Sequence, residues 1–335
     1  MLVIGWKAEV IEGVRPIHVK LALHYDESTD DMTQLGLGLA ALGRPEYLTV
    51  GHSTAVGGRF DPVALEQLCH SVLDAAWDSG VRHLDVARSY GLAERFLGSW
   101  LSRWPDRRED LVIGSKWGYA YVADFQRGAA VHEVKEHSAA RLADQWPQTL
   151  HELGGVPDHY LIHSVTPDSP ALSDAALLDD LRALAEGGTR IGISTSGPHQ
   201  ADVVRAALDI AVFSSVQSTW NPLEPSAGPA LALAHEAGWF VVVKEAMANG
   251  RLVAEESELT RRADSEGVGR DALALSIALS QPWADVVLSG AATVDQLEQN
   301  VAALDIDRHL IDAGDLDLAE SPEIYWANRT RLPWT

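Results

Sequence analysis

Gly80-Val81-Arg82-His83-Leu84-Asp85-Val86-Ala87-Arg88-Ser89-Tyr90-Gly91, running on through Leu92-Ala93-Glu94-Arg95-Phe96-Leu97-Gly98, holds one whole structural unit. The apolar run 83–86 reads as a short buried strand, the polar stretch after it as a turn, and 93–102 as an amphipathic helix. Upstream, 63–78 has helical periodicity, with Pro62 in its first turn and Gly80 just past its end. Helix, strand, turn and helix in that order are what a parallel α/β sheet repeats.

Further apolar runs of strand length occur at 35–39, 111–114, 159–163, 190–194, 215–217, 239–243 and 285–289. Helical patterns alternate with them at 133–153, 174–185, 200–208, 227–237, 272–280 and 293–303. Eight such strands, with no Gly/Pro/Ser-rich linker dividing the chain, favour closure into a (β/α)8 TIM barrel over two open sheets. The expected division is an N-terminal segment 1–31, a barrel 32–310 and a tail 311–335 over or beside it. In the first segment Ile17, Val19, Leu21 and Leu23 alternate with His18, Lys20, Ala22 and His24, a strand-like period of two, before the acidic polar stretch 26–31. It reads as a hairpin closing the barrel bottom or as an extension ahead of Met32.

The chain has 335 residues, is 46% hydrophobic and carries a formal net charge of −22. That charge repels phosphate backbones and anionic lipid, which argues against nucleic-acid and membrane roles. Cys69 is the single cysteine and falls in a helical pattern with Leu65, Leu68 and Val72. An internal disulfide is thereby excluded, which suits a reducing compartment. No uninterrupted apolar run approaches the ~18 residues of a membrane span. Lys7, Glu9 and Glu12 interrupt the apolar start, unlike the core of a signal peptide, so the cytoplasm is the expected location.

In a parallel barrel the C-terminal strand ends form the catalytic face. Asp85 lies near the end of the second strand and Tyr90 in the turn after it; Lys116 closes the third strand and His163 the fourth. An acid, a phenol, an amine and an imidazole thus converge from consecutive strands. A phenol has a pKa near ~10 and donates its proton poorly unless its anion is stabilised. An ammonium does this, and a buried carboxylate keeps that ammonium charged and in place.

These residues resemble the aldo-keto reductases. The stretch 80–91 with Ala93-Glu94 and Leu97-Gly98, the segment Ser115-Lys116-Trp117-Gly118, and Leu161-Ile162-His163-Ser164 are similar to that family's signatures, in order, over 35–303. The resemblance implies Tyr90 as general acid/base, Lys116 as modulator of its pKa, Asp85 as partner of Lys116, and His163 as orienting the substrate carbonyl. It also implies a nicotinamide cofactor, NADP(H) or NAD(H), contacted near Asp85. Ser194, Thr195 (where Asn is usual) and Gln217 would hold the carboxamide, and Trp220 would stack on the nicotinamide ring. The stretch Lys244-Glu245-Ala246-Met247-Ala248-Asn249-Gly250 fits the loop over the pyrophosphate, with Ala246, Met247 and Gly250 as contacts. Gly290 would serve a phosphate ahead of a helix, and Gln296, Gln299 and Asn300 the adenosine end. Many relatives carry Arg or Lys near Ala292 or Gln296 to grip a 2′-phosphate, so NAD is expected to be usable here.

For a small carbonyl or alcohol substrate, Arg88, Trp117 and Tyr119 beside the catalytic positions are the expected lining, with Trp326 from the tail. An NAD-dependent aldose-type dehydrogenase, or a cofactor-binding regulatory subunit without turnover, are the alternatives. Two motifs carry little weight. Gly36-x-Gly38-x-x-Ala41 has the spacing of a dinucleotide fingerprint but lies inside an apolar run. His132-Glu133-Val134-Lys135-Glu136-His137 nearly spells a zinc-protease helix, but its second His is one residue too far along, and no metal is expected.

Overall fold

The structure, a computed structural model, describes residues 33–49, 57–58, 60–307 and 313–335. The expectations for 1–31 lie outside these residues. Eight parallel strands close into a barrel: β1 (Gln34–Gly38), β2 (His83–Asp85), β3 (Val112–Trp117), β6 (His159–Val165), β7 (Arg190–Thr195), β8 (Ser215–Thr219), β9 (Phe240–Lys244) and β10 (Val286–Ser289). Going round, the order is β1, β10, β9, β8, β7, β6, β3, β2. All eight expected strands are present; β2 ends a residue earlier and β10 starts a residue later than expected, and the others are shifted by a residue or extended at their C-terminal ends.

The strands are buried on both faces, as a barrel wrapped in helices requires. Alternation decides which side chains enter the barrel. Phe240, Val242, Val286 and Leu288 form one interior cluster. His83 and His159 join Phe240 at the strand starts, with His159 and Phe240 ring centres 4.7 Å apart. Two residues further along each strand, the same inward face carries Asp85, Leu161 and Val242. At the strand ends it carries Lys116, His163 and Lys244. Gly36 is a wall residue of this interior: a Cβ there would lie 2.8 Å from the Val286 side chain. Its glycine therefore serves packing, not a phosphate loop.

The surrounding helices begin where side chains satisfy their first amides. Asp61 caps Pro62–Asp78, Asp174 caps Ala175–Glu186, and Thr293 caps Val294–Val301. The helix expected at 133–153 starts only at Ala139, capped by Ser138 in extended backbone. The preceding residues form β5 (Glu133–Lys135), which pairs antiparallel with β4 (Tyr119–Tyr121) as a hairpin after β3. The local Ser138 cap outcompetes the longer helical pattern, so His132 and His137 are not on a helix at all. Besides this hairpin, the elements not anticipated include the helix Glu258–Glu266, opened by a Ser257/Thr260 capping box, and the helix Pro322–Thr330 in the tail. No helix among the described residues is long and apolar enough to cross a membrane.

Candidate active site

A cavity of about 290 Å³ opens at the C-terminal strand ends. Asp85, Tyr90, Tyr119, His163, Gln217, Lys244 and Gly290 all contribute to its wall. Beneath it, Lys116 is fully buried and its Nζ donates three hydrogen bonds: to Asp85 Oδ2 at 2.6 Å, to the Val86 carbonyl at 3.0 Å, and to Tyr90 Oη at 3.2 Å. Asp85 Oδ1 accepts from Gln217 Nε2 at 2.8 Å, a contact from the opposite wall of the barrel. Burial lowers the Lys116 pKa, and Asp85 opposes that. Burial likewise raises the Tyr90 phenol well above its ordinary value, Asp85 adds to this, and Arg44 opposes it. Tyr90 is therefore a neutral phenol at neutral pH, and burial makes it a weaker acid than a free phenol.

His163 packs edge-on to Tyr90, ring centres 5.5 Å apart, and its Nδ1 lies 3.3 Å from Ser89 Oγ. Burial, followed by the Lys116 charge, holds its pKa well below the ordinary value, so the imidazole is neutral. A register shift between Ile162 and Val165, with Ser164 at φ 55°, turns this strand end towards the cavity.

Tyr90 is placed by a close approach between two turns. Leu92 N donates to the Gly43 carbonyl at 2.8 Å, and a Cβ on Gly91 (φ 61°) would lie 2.4 Å from that oxygen. Only glycine fits there. The same contact brings Arg44 beside Tyr90. Its guanidinium bonds to Ser89 O and Glu133 Oε1 and lies among the rings of Tyr47, Tyr90 and Trp334. Trp334 stacks on His132 at 4.0 Å, and the last residues pair with the loop after β1 through a Leu48–Trp334 bridge.

The cofactor candidates divide by strand parity. Gln217 faces inward and, because Asp85 can only accept, its amide group must point at the carboxylate; its Oε1 is left buried and unpartnered. Ala246, Met247, Gly250 and Gly290 line the cavity. Ser194 faces inward but accepts from Ser164 N at 2.8 Å, and Ser164 and Ser196 are the groups that reach the cavity. Thr195 and Trp220 face the helix layer: Thr195 bonds to Ser218 at 2.6 Å, and Trp220 packs on Trp283. Asn300 is buried, donates to Ser289 Oγ at 2.8 Å, and keeps an unpartnered Oδ1. Gln296 folds back to accept from Ala292 N at 2.9 Å, and Gln299 is exposed. Of these two buried acceptors without a partner, Gln217 belongs to the cavity wall and Asn300 lies behind it.

Of the substrate candidates, Tyr119 lines the cavity with its ring 5.0 Å from that of His163. Arg88 points away, paired with Glu94 and bonded to Gln148 at 3.0 Å. Trp117 is an outward residue of β3 against His137, and Trp326 is buried behind Lys244 and Arg329. From the tail, Arg329 and Trp334 reach the cavity instead. Sequence reasoning also missed Arg44 and Glu133, and it quoted Lys244 and Glu245 only as part of the expected pyrophosphate loop. Glu245 adopts φ 57° and takes a two-pronged contact from Arg329. Burial works to raise Glu245, but Arg329 and Lys244 outweigh it and bring the pKa down to about 2.

The sequence model of the aldo/keto reductase family matches residues 34–313. An aldo-keto reductase from Gibberella moniliformis (strain M3125 / FGSC 7600) is 31% identical over 183 residues, 54% of this chain and 50% of that protein. The chain thus matches about half the length of that relative. An uncharacterized oxidoreductase from Bacillus subtilis (strain 168) is 24% identical over 308 residues, 83% of this chain and 89% of that protein. Among solved structures, the holo form of an aldo-keto reductase from Bacillus halodurans superposes with a TM-score of 0.61 at 21% identity, covering 89% of this chain and 92% of that one.

Proposed function

The chain belongs to the aldo/keto reductase family of oxidoreductases, and from that premise we propose that it interconverts a carbonyl and an alcohol by hydride transfer, with Tyr90 moving the proton. The observation that carries this reading is the single ammonium of Lys116 shared between Asp85 Oδ2 and Tyr90 Oη at the cavity floor. When bound, the nicotinamide dinucleotide supplies or accepts the hydride. Gln217 Oε1, buried in the cavity wall without a partner, would be free to accept from the carboxamide amino group, and Asn300 would support the adenosine end from behind the wall. Ala246, Met247, Gly250 and Gly290 line the stretch between, while Ser194 and Thr195 act from beneath, bracing Ser164 and Ser218.

In the reducing direction Tyr90 gives its phenolic proton to the developing alkoxide, and Lys116 stabilises the phenolate left behind. Asp85 keeps the ammonium charged in a buried place. In the tautomer in which Ser89 Oγ donates to His163 Nδ1, the neutral ring carries its proton on Nε2 and can offer it as a hydrogen bond to the substrate oxygen. In oxidation the same groups run in reverse.

Gln296 is occupied with Ala292 N and neither position is basic, so a 2′-phosphate lacks a charge partner there. One charge-assisted contact is worth about 1.5–3 kcal/mol, roughly 10- to 150-fold. Turnover of a reactive aldehyde with NADH and with NADPH tests both parts. We expect measurable turnover with either cofactor. No turnover with any aldehyde or alcohol would favour a regulatory module, and a hundredfold preference for NADPH would reject the cofactor reading.

A further inference from the structure

Strand β9 ends in a lysine that the reaction described above does not use. Phe240 and Val242 face the barrel interior, so Lys244, next on the same face, rises into the cavity wall. Its Nζ donates to Thr219 Oγ1 at 2.9 Å and lies 3.9 Å from Glu245 Oε1. That carboxylate is already engaged by both Nε and Nη2 of Arg329. Elsewhere in the wall Glu133 is matched by Arg44, and Asp85 by Lys116 beneath it. Among the described residues of the cavity, Lys244 is the positive charge in excess of the carboxylates. Burial draws its pKa down to about 8 against the pull of Glu245, as expected of an ammonium with incomplete compensation. Trp220 lies in the helix layer, so this part of the wall is charged rather than aromatic.

We propose that Lys244 selects the redox state of the cofactor, making the site hold the reduced nicotinamide more tightly than the oxidised one. The inference rests on the reading that the nicotinamide sits at Gln217. The oxidised ring carries a unit positive charge and the reduced ring none, whereas the rest of the two dinucleotides is the same. A cation in the wall therefore repels one form alone. At an effective dielectric near ~20, like charges within about 10 Å change affinity by roughly tenfold or more. The same bias draws the equilibrium on the protein towards alcohol oxidation. A lysine gripping the pyrophosphate would act differently, since both forms carry that group and both affinities would move together.

The test is to titrate oxidised and reduced dinucleotide into the parent, Lys244→Met and Lys244→Arg, following quenching of tryptophan fluorescence. The ratio of oxidised to reduced dissociation constants should fall by about tenfold or more in Lys244→Met and stay near the parent value in Lys244→Arg. Should Lys244→Met fail to fold, Lys244→Gln carries the same expectation. An unchanged ratio, or equal weakening of both forms, overturns the proposal. Failure of the parent to bind either dinucleotide would instead remove the nicotinamide reading, and this inference with it.

Discussion

Lys116 on β3 and Lys244 on β9 face each other across the barrel, four strands apart in either direction, yet they stand in different electrostatic settings. Lys116 is fully buried, and its ammonium is fixed by one carboxylate, one carbonyl and one phenol. Among the described residues, Lys244 has only a hydroxyl within hydrogen-bond reach, and its nearest carboxylate is committed to Arg329. The first arrangement holds a charge beside the phenol that we propose gives up its proton. The second leaves a charge in excess beside the proposed nicotinamide. On the proposed reading, the same residue type at the same height in one barrel serves proton chemistry on one wall and ligand electrostatics on the other.

Breaking the first wall should have the largest effect. Lys116→Met removes the group that stabilises the phenolate, and hydride transfer should fall by roughly 10²–10⁴. It also strands Asp85 as a buried carboxylate, costing about 3–5 kcal/mol of stability. The double variant Lys116→Met with Asp85→Asn should recover stability, read as a urea midpoint, without recovering rate. Recovery of rate as well would mean that Lys116 is only structural.

On the second wall the pair Glu245–Arg329 makes stability depend on pH. The Glu245 carboxyl titrates at about 2 in the folded chain against an ordinary 4.5. A depressed acid contributes stability that is complete above its unfolded value and is lost as pH falls from 4.5 towards 2. The magnitude is roughly 3 kcal/mol. Urea midpoints at pH 7 and pH 3 should therefore differ more in the parent than in Glu245→Gln. Equal differences would show that other carboxylates govern acid unfolding.

A smaller contrast separates inward from outward residues. Gln217→Ala removes an inward acceptor and leaves Asp85 Oδ1 unpaired, so cofactor binding should weaken by about 1–3 kcal/mol, roughly 5- to 150-fold. Thr195→Ala, on the helix side and bonded to Ser218, should leave the dissociation constant unchanged. A loss in Thr195→Ala as large as that in Gln217→Ala would contradict the parity argument.

The same parity explains what the sequence made legible. Asp85, Lys116 and His163 were readable because each lies at or near the C-terminal end of a short strand whose apolar run marks its face, and Tyr90 because it follows one at a fixed turn. Trp220 has the right composition for a stacking residue but lies one step out of phase with Gln217, and spacing to a motif does not reveal a side chain's direction. Trp117 failed as a lining residue for the same reason beside Lys116. Arg44, Glu133 and Trp334 were invisible for another reason. They come from the loop after β1, the β4–β5 hairpin and the chain end, and only tertiary packing brings them together. Glu133 was also hidden by a helical pattern that the Ser138 cap cuts short.

Single-turnover hydride transfer in Tyr90→Phe, followed by nicotinamide absorbance with a reactive aldehyde, examines the first wall at the atom that matters. The change removes only the hydroxyl, so the ring still packs on His163 and the cofactor should bind as in the parent. The rate should fall by roughly 10²–10⁴. A variant that transfers hydride as fast as the parent would show that the proton comes from elsewhere and that the Asp85–Lys116–Tyr90 arrangement is not the catalytic one.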